Sequence, residues 1–234
     1  MAESKYREAG VDIDAGDEVI RRIKSAVKAT QGPEVLAGVG AFGGLYDGGA
    51  LKAMAGPVLV ASTDGVGTKT KIATTLGIYD TIGQDIVNHC VDDILVQGAQ
   101  PLFFLDYFAT AQLKPEVAAA VIGGAARACA AAGCALLGGE TAEMPGVYVP
   151  GEMDLVGTVV GMVERERIIT GEKMAPGDVV IGLPSSGLHT NGFSLARKVF
   201  EGFDLTAPAS GLDRPLGEAL LEPHRCYAGH IQRL

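Results

Sequence analysis

The stretch Ser62-Thr63-Asp64-Gly65-Val66-Gly67-Thr68-Lys69-Thr70-Lys71 sets a carboxylate, two glycines, a threonine hydroxyl and a lysine close together. Asp64 can hold Mg²⁺ through oxygen. Gly65 and Gly67 allow close backbone approach and positive φ. Lys69 is a point charge suited to a phosphate, and Thr68 adds a hydroxyl and an N–H. This set fits a metal–polyphosphate better than a packed core; the plainer reading is a tight turn after a strand. It is not a Walker A loop, which needs Gly-Lys adjacent, because Thr68 separates Gly67 from Lys69.

Three further stretches carry chemistry. Residues Tyr79 to Gly98 read as a helix with Ile82, Ile86, Cys90 and Ile94 on one stripe and Asp85, His89, Asp92 and Asp93 on another. The second face suits a divalent metal. His89 by itself reads more simply as a partly exposed helix histidine, and the carboxylates are the better ligands because Mg²⁺ prefers oxygen. Gly138-Gly139-Glu140-Thr141-Ala142-Glu143-Met144-Pro145-Gly146 again sets glycines and carboxylates at a strand end. Pro184 to Gly192 runs from a strand through a Gly/Ser loop with His189 into a helix, a geometry that turns N–H groups toward an anion; the alternative is a capping loop with a surface histidine. Gly38-Val39-Gly40-Ala41-Phe42-Gly43 matches G-x-G-x-x-G, yet more turn signals come after it where a dinucleotide fold needs a helix. A glycine loop able to lie over a ligand describes it better.

The elements that position these residues are set by periodicity. A helix opens at Asp14 to Asp17, with Ile20, Ile23 and Val27 inward and Arg21, Lys24 and Lys28 outward. Strands are expected at Pro57 to Ala61 (buried), Pro101 to Phe108, Cys134 to Leu137, Met153 to Val163 and Val179 to Leu183. Lys114-Pro115-Glu116 starts a helix that runs to about Ala132 and ends at Gly133. Shorter helices begin near Phe193 and Leu216. Val117 to Gly139, interrupted by Arg127, reads as helix then strand and not as a membrane span.

The 234 residues carry a net charge of −9, which argues against nucleic acid but not against ATP held by a local Lys/Mg²⁺ cluster. Four cysteines form no C-x-x-C pair, so reduced thiols are expected. Met1 to Gly16 has no apolar h-region. A cytoplasmic protein, with no membrane and no nucleic-acid partner, is the expectation.

Together, Gly10-Val11-Asp12-Ile13-Asp14-Ala15-Gly16, Asp64-Gly65-Val66-Gly67-Thr68-Lys69, Val96-Gln97-Gly98-Ala99 with Pro101 to Tyr107, Gly138 to Gly146, and Ser185-Ser186-Gly187 with His189 and Asn191-Gly192 resemble the phosphoribosylformylglycinamidine cyclo-ligase (aminoimidazole ribonucleotide synthetase) family, in family order along nearly the whole chain. The resemblance implies a two-domain α/β protein: an N-terminal ATP-binding domain over residues 1–168, forming a shared β-barrel in a homodimer, with an incomplete α+β C-terminal domain over 169–234. It implies ATP and Mg²⁺ as cofactors and formylglycinamidine ribonucleotide as the small-molecule substrate, cyclised in purine biosynthesis. It puts Lys24, Asp64, Gly65, Gly67, Thr68, Lys69, Asp93 and Glu140 at the nucleotide, with Asp64, Asp93 and Glu140 as metal carboxylates. Ser185, Ser186, Gly187, His189 and Asn191 fall beside the ribose-phosphate substrate, and His189 is a candidate general base on chemical type alone.

Asp92 stands where this family usually has Asn, either adding charge beside the metal or pointing away. The segment after Thr170 is short against the family's second domain. Weak ATP binding, little cyclisation, an unpaired strand at Val179 to Leu183 and mobility beyond Thr170 are therefore expected. Within the superfamily, a selenophosphate synthetase would want a cysteine in the N-terminal glycine loop, and thiamine monophosphate kinase lacks the Gly138 to Gly146 segment. A non-catalytic nucleotide-binding module is the alternative from another class.

Overall fold

The computed structural model describes residues 2–233. Asp12 starts helix α2 (Ile13–Ala29): its carboxylate accepts from the Ala15 N–H, satisfying one orphan donor of the first turn. Ahead of it lies a short helix α1 (Ala2–Glu8), which the polar composition did not signal. Helix α2 buries Val19, Ile23 and Val27, whereas Ile20, expected inward, is 47% exposed. The glycine loop after α2 is flanked by the short strands β1 (Val35–Ala37) and β2 (Leu45–Tyr46), with a 3₁₀ turn over Gly48–Ala53 where a dinucleotide fold would need an α-helix.

The main sheet has four strands: β3 (Pro57–Gly65), β4 (Gln100–Thr110), β5 (Ala135–Glu143) and β6 (Met153–Glu164). Their order is β3-β6-β4-β5, antiparallel except for the β4–β5 pair. The sheet is therefore mixed and, among the described residues, open at β3 and β5. One expectation changes. Strand β3 is an edge whose outward residues are open, Leu59 among them at 59%, because no second layer covers that face. Strand β4 is internal and buries Phe104 and Phe108 within the chain.

Helices α4 (Asp80–Leu95) and α5 (Pro115–Ala132) lie on the covered face, with α2 against α5. They cross closely. A Cβ on Gly83 would stand 1.9 Å from the Val121 carbonyl oxygen, and one on Gly124 2.0 Å from that of Asp80. Only glycine admits such an approach. Gly133, in the left-handed region at φ 67°, ends α5 as expected.

Beyond the 3₁₀ turn Arg165–Arg167, no strand forms over Val179 to Leu183. Val179, Val180 and Ile181 are 85%, 95% and 78% exposed. The chain then returns to pack: α6 (Phe193–Val199), α7 (Leu216–Leu220) and α8 (Ala228–Ile231) bury Phe193, Leu216, Leu220, Leu221 and Ala228 against helix α3 (Lys69–Leu76) and α4. The stretch around Val179 is thus unpaired and exposed, whereas the part after Thr190 is docked. No described helix is long and apolar enough to cross a membrane.

Candidate metal and nucleotide site

Strand β3 alternates faces, so Ser62 and Asp64 point to the same side, toward α4. One turn apart on α4, His89 and Asp93 meet them. His89 Nε2 lies 3.0 Å from Asp64 Oδ2 and 3.8 Å from Asp93 Oδ1, and Ser62 Oγ donates to Asp93 Oδ2 at 2.7 Å. One ligand atom from each of Asp64, His89 and Asp93 falls within 4.8 Å of the others. Two carboxylate oxygens, partly open to solvent, and a buried imidazole nitrogen make a donor set that fits a divalent cation. His89 is not the partly exposed helix residue expected: it is buried, and its Nδ1 is 2.5 Å from Thr190 Oγ1.

Glu140 does not join this cluster within the chain. In the sheet, Asp64 pairs with Gly157, Gly157 with Asp106, and Asp106 with Gly139. Glu140 is the next residue along, so its side chain leaves from the opposite face. There it lines a cavity of about 840 Å³ with the glycine loop Gly38–Gly44, Asp12, Asp17 and Tyr107. Glu143, from the same glycine- and carboxylate-bearing strand end, also lines this cavity and accepts from the backbone N–H of Asp12 (2.6 Å) and of Leu113 (2.7 Å). Lys24 is exposed on α2. Asp106, at the sheet's inner side, has its carboxyl pushed up to about 7 by burial.

Lys69 departs most from expectation. Its ammonium is fully buried and pairs with the equally buried Asp85, rather than standing free for a phosphate. It also donates to the carbonyl oxygens of His189 (3.1 Å) and Glu222 (2.8 Å), under the Phe193 ring. Burial drags the Lys69 ammonium down and the Asp85 carboxyl up; their mutual attraction opposes both shifts. Of Gly65 and Gly67 only Gly67 takes positive φ (66°); Gly65 ends β3, and its N–H donates to Asp64 Oδ1. Thr68 Oγ1 sits 3.2 Å from Ser194 Oγ.

Asp92 points away from the metal cluster. Its Oδ1 accepts from the Tyr227 N–H (2.8 Å) and its Oδ2 lies 3.1 Å from His224 Nε2. His224, which no motif or spacing singled out, stacks on His189 with centroids 4.0 Å apart. Burial first, then His224, pull the His189 pKa down. Ser186 Oγ is tied to the Pro223 carbonyl, while Ser185, Gly187 and Asn191 are exposed.

Residues 46–163 match the family model described as AIR synthase related protein, N-terminal domain, and residues 175–232 match its C-terminal domain. The chain belongs to the AIR synthase related protein family. It is similar to proteins named phosphoribosylformylglycinamidine cyclo-ligase from Sorangium cellulosum, 56% identical over 98% of this chain and 66% of the relative, and from Albidiferax ferrireducens, 55% identical over 97% and 64%. It therefore spans about two-thirds of the length of these relatives. Among solved structures it resembles thiamine-monophosphate kinase from Stenotrophomonas maltophilia (TM-score 0.65, 20% identity, 93% of this chain and 63% of that one). A hydrogenase maturation protein from E. coli aligns with TM-score 0.53 at 20% identity, over 77% of this chain and 55% of that one. At this identity the likeness is one of fold.

Proposed function

We propose that this chain carries the MgATP site of an ATP-dependent cyclo-ligase that closes formylglycinamidine ribonucleotide to aminoimidazole ribonucleotide. The observation that carries the reading is the convergence of Asp64, His89 and Asp93 in a chain 56% identical to a protein of that name.

An amide oxygen leaves poorly. In this reading ATP phosphorylates the formyl oxygen, the amidine-side nitrogen attacks the activated carbon, and phosphate departs as the ring closes. Mg²⁺ would neutralise charge on the transferring phosphoryl group, where positioning and electrostatics supply most of the acceleration. Asp64 and Asp93 would hold it, with Asp93 fixed by the Ser62 hydroxyl. Gly65, Gly67 and Thr68 lie beside these carboxylates and would admit the phosphates. The glycine-loop cavity, with Glu140 on its wall, lies on the other face of the sheet, so Glu140 and Lys24 would serve a nucleotide only across the face that a second subunit covers. Ser185, Ser186, Gly187, His189 and Asn191 would face the ribose phosphate.

The reading includes a cytoplasmic homodimer in which the open face of the sheet closes into a shared β-barrel. The exposed Leu59 on edge strand β3 supports it; the reading also divides the chain at about residue 168, after β6 and its 3₁₀ turn. Sedimentation showing a stable monomer at micromolar concentration would remove the dimer.

The test of function is ATP binding with and without Mg²⁺, with product formation followed in parallel. Mg²⁺-dependent binding is expected. ATP affinity indifferent to Mg²⁺ contradicts the site. Product formation separates a working cyclo-ligase from a nucleotide-binding module.

A further inference from the structure

One face of α4 grips a segment more than a hundred residues away. Asp85 Oδ1 accepts from the His224 N–H at 2.7 Å, Asn88 Nδ2 donates to the His224 carbonyl at 2.7 Å, and Asp92 holds both His224 Nε2 and the Tyr227 N–H. Asp92 thus ties the His224 ring directly and Tyr227 through its backbone, and the side chains of these two residues touch His189. The His224 ring stacks on it at 4.0 Å with 20° between planes, and the Tyr227 hydroxyl lies 3.4 Å from His189 Nε2. His189 thus sits between two supports, each anchored by one oxygen of a single carboxylate.

The chemistry at His224 is defined too. Asp92 can only accept when ionised, so Nε2 carries the proton. Nδ1 is buried with no hydrogen-bond partner, and a buried N–H there would cost more than a lone pair beside the stacked ring. One ring nitrogen is therefore assigned by the partner of the other.

We propose that Asp92 is a positioning residue: through His224 and Tyr227 it orients the His189 imidazole toward a phosphate-bearing ligand. Asp92 does not itself touch that ligand. The proposal rests on the reading that His189 faces the ribose phosphate, and it explains why a second carboxylate stands next to Asp93. The carboxylate has a structural use that leaves the metal cluster alone, since its two oxygens are both spent on the distant segment.

The experiment uses this chain, ¹⁵N-labelled at histidine, at pH 8, with ribose 5-phosphate as the probe. Long-range imidazole correlations in the wild type should show His224 protonated at Nε2 alone. In Asp92→Ala that pattern should give way to a tautomer mixture, the His189 ring resonances should move, and ribose 5-phosphate affinity should fall about tenfold, the equivalent of about 1.4 kcal/mol. Asp92→Asn keeps one acceptor oxygen and should recover part of the affinity. His224→Phe keeps a ring for stacking but breaks the tie, and should shift His189 as Asp92→Ala does. Unmoved His189 resonances and wild-type affinity in Asp92→Ala would overturn the proposal. If His189→Ala itself binds the probe as wild type does, the reading of His189 fails instead, and the His224 tautomer then reports only a structural tie.

Discussion

Lys69 Nζ lies 2.9 Å from Asp85 Oδ1 with both side chains shut away from solvent. The pair joins the first turn of α3 to the middle of α4, and the same ammonium fastens the backbone at His189 and Glu222. A lysine that sequence pattern assigns to a phosphate instead ties the C-terminal segment to the N-terminal core.

Removing one partner leaves the other charge buried alone, which costs about 3–5 kcal/mol. Lys69→Met should therefore lower the urea midpoint markedly and expose the chain to proteolysis around residues 184–192. Lys69→Met with Asp85→Leu should be more stable than Lys69→Met alone. Denaturation curves for the three proteins check this; a Lys69→Met midpoint equal to wild type contradicts the buried pair.

Asp106 gives a pH dependence whose sign is fixed. Its folded pKa, about 7, stands above the ordinary carboxylate value of 3.8, so the folded state binds more protons between the two. Stability from this group is complete below about pH 4 and is lost as pH rises through 7. The loss is on the order of 4 kcal/mol. Asp106→Asn should flatten that slope, and urea midpoints measured from pH 4 to 8 would show it. Parallel pH curves for variant and wild type would contradict the assignment.

The segment after Thr170 should divide in hydrogen exchange. Amides of residues 179–183 make no strand ladder and should exchange fast, whereas those of α6 and α7, packed through Phe193 and Leu220, should be protected. Uniformly fast exchange across residues 171–231 would mean that the C-terminal helices do not stay docked in solution.

Much of the fold is legible in the sequence, and the limits have physical causes. Pro115 and Gly133 bound helix α5, an apolar run marks β4 and alternation marks β6, because local signals determine such elements. Asp64 and Asp93 are legible as carboxylates on a strand end and a helix. Their union with His89, and the exile of Glu140 to the other face, depend on pleat parity and strand order, which no single segment contains. Lys69 misleads because its partner Asp85 lies on another helix. His224 carries no signal, since an imidazole in a loop means something only once α4 is packed against it. Val179 to Leu183 has the composition of a strand and lacks a neighbour with which to pair.

The most direct test is calorimetric titration of MgATP into the wild type and into Asp64→Asn/Asp93→Asn. Both substitutions keep side-chain shape and remove a charged oxygen ligand. A metal site at these carboxylates predicts wild-type binding that requires Mg²⁺ and a loss of at least tenfold, about 1.4 kcal/mol, in the double variant, with its thermal unfolding little changed. Wild-type MgATP affinity in the double variant would contradict it.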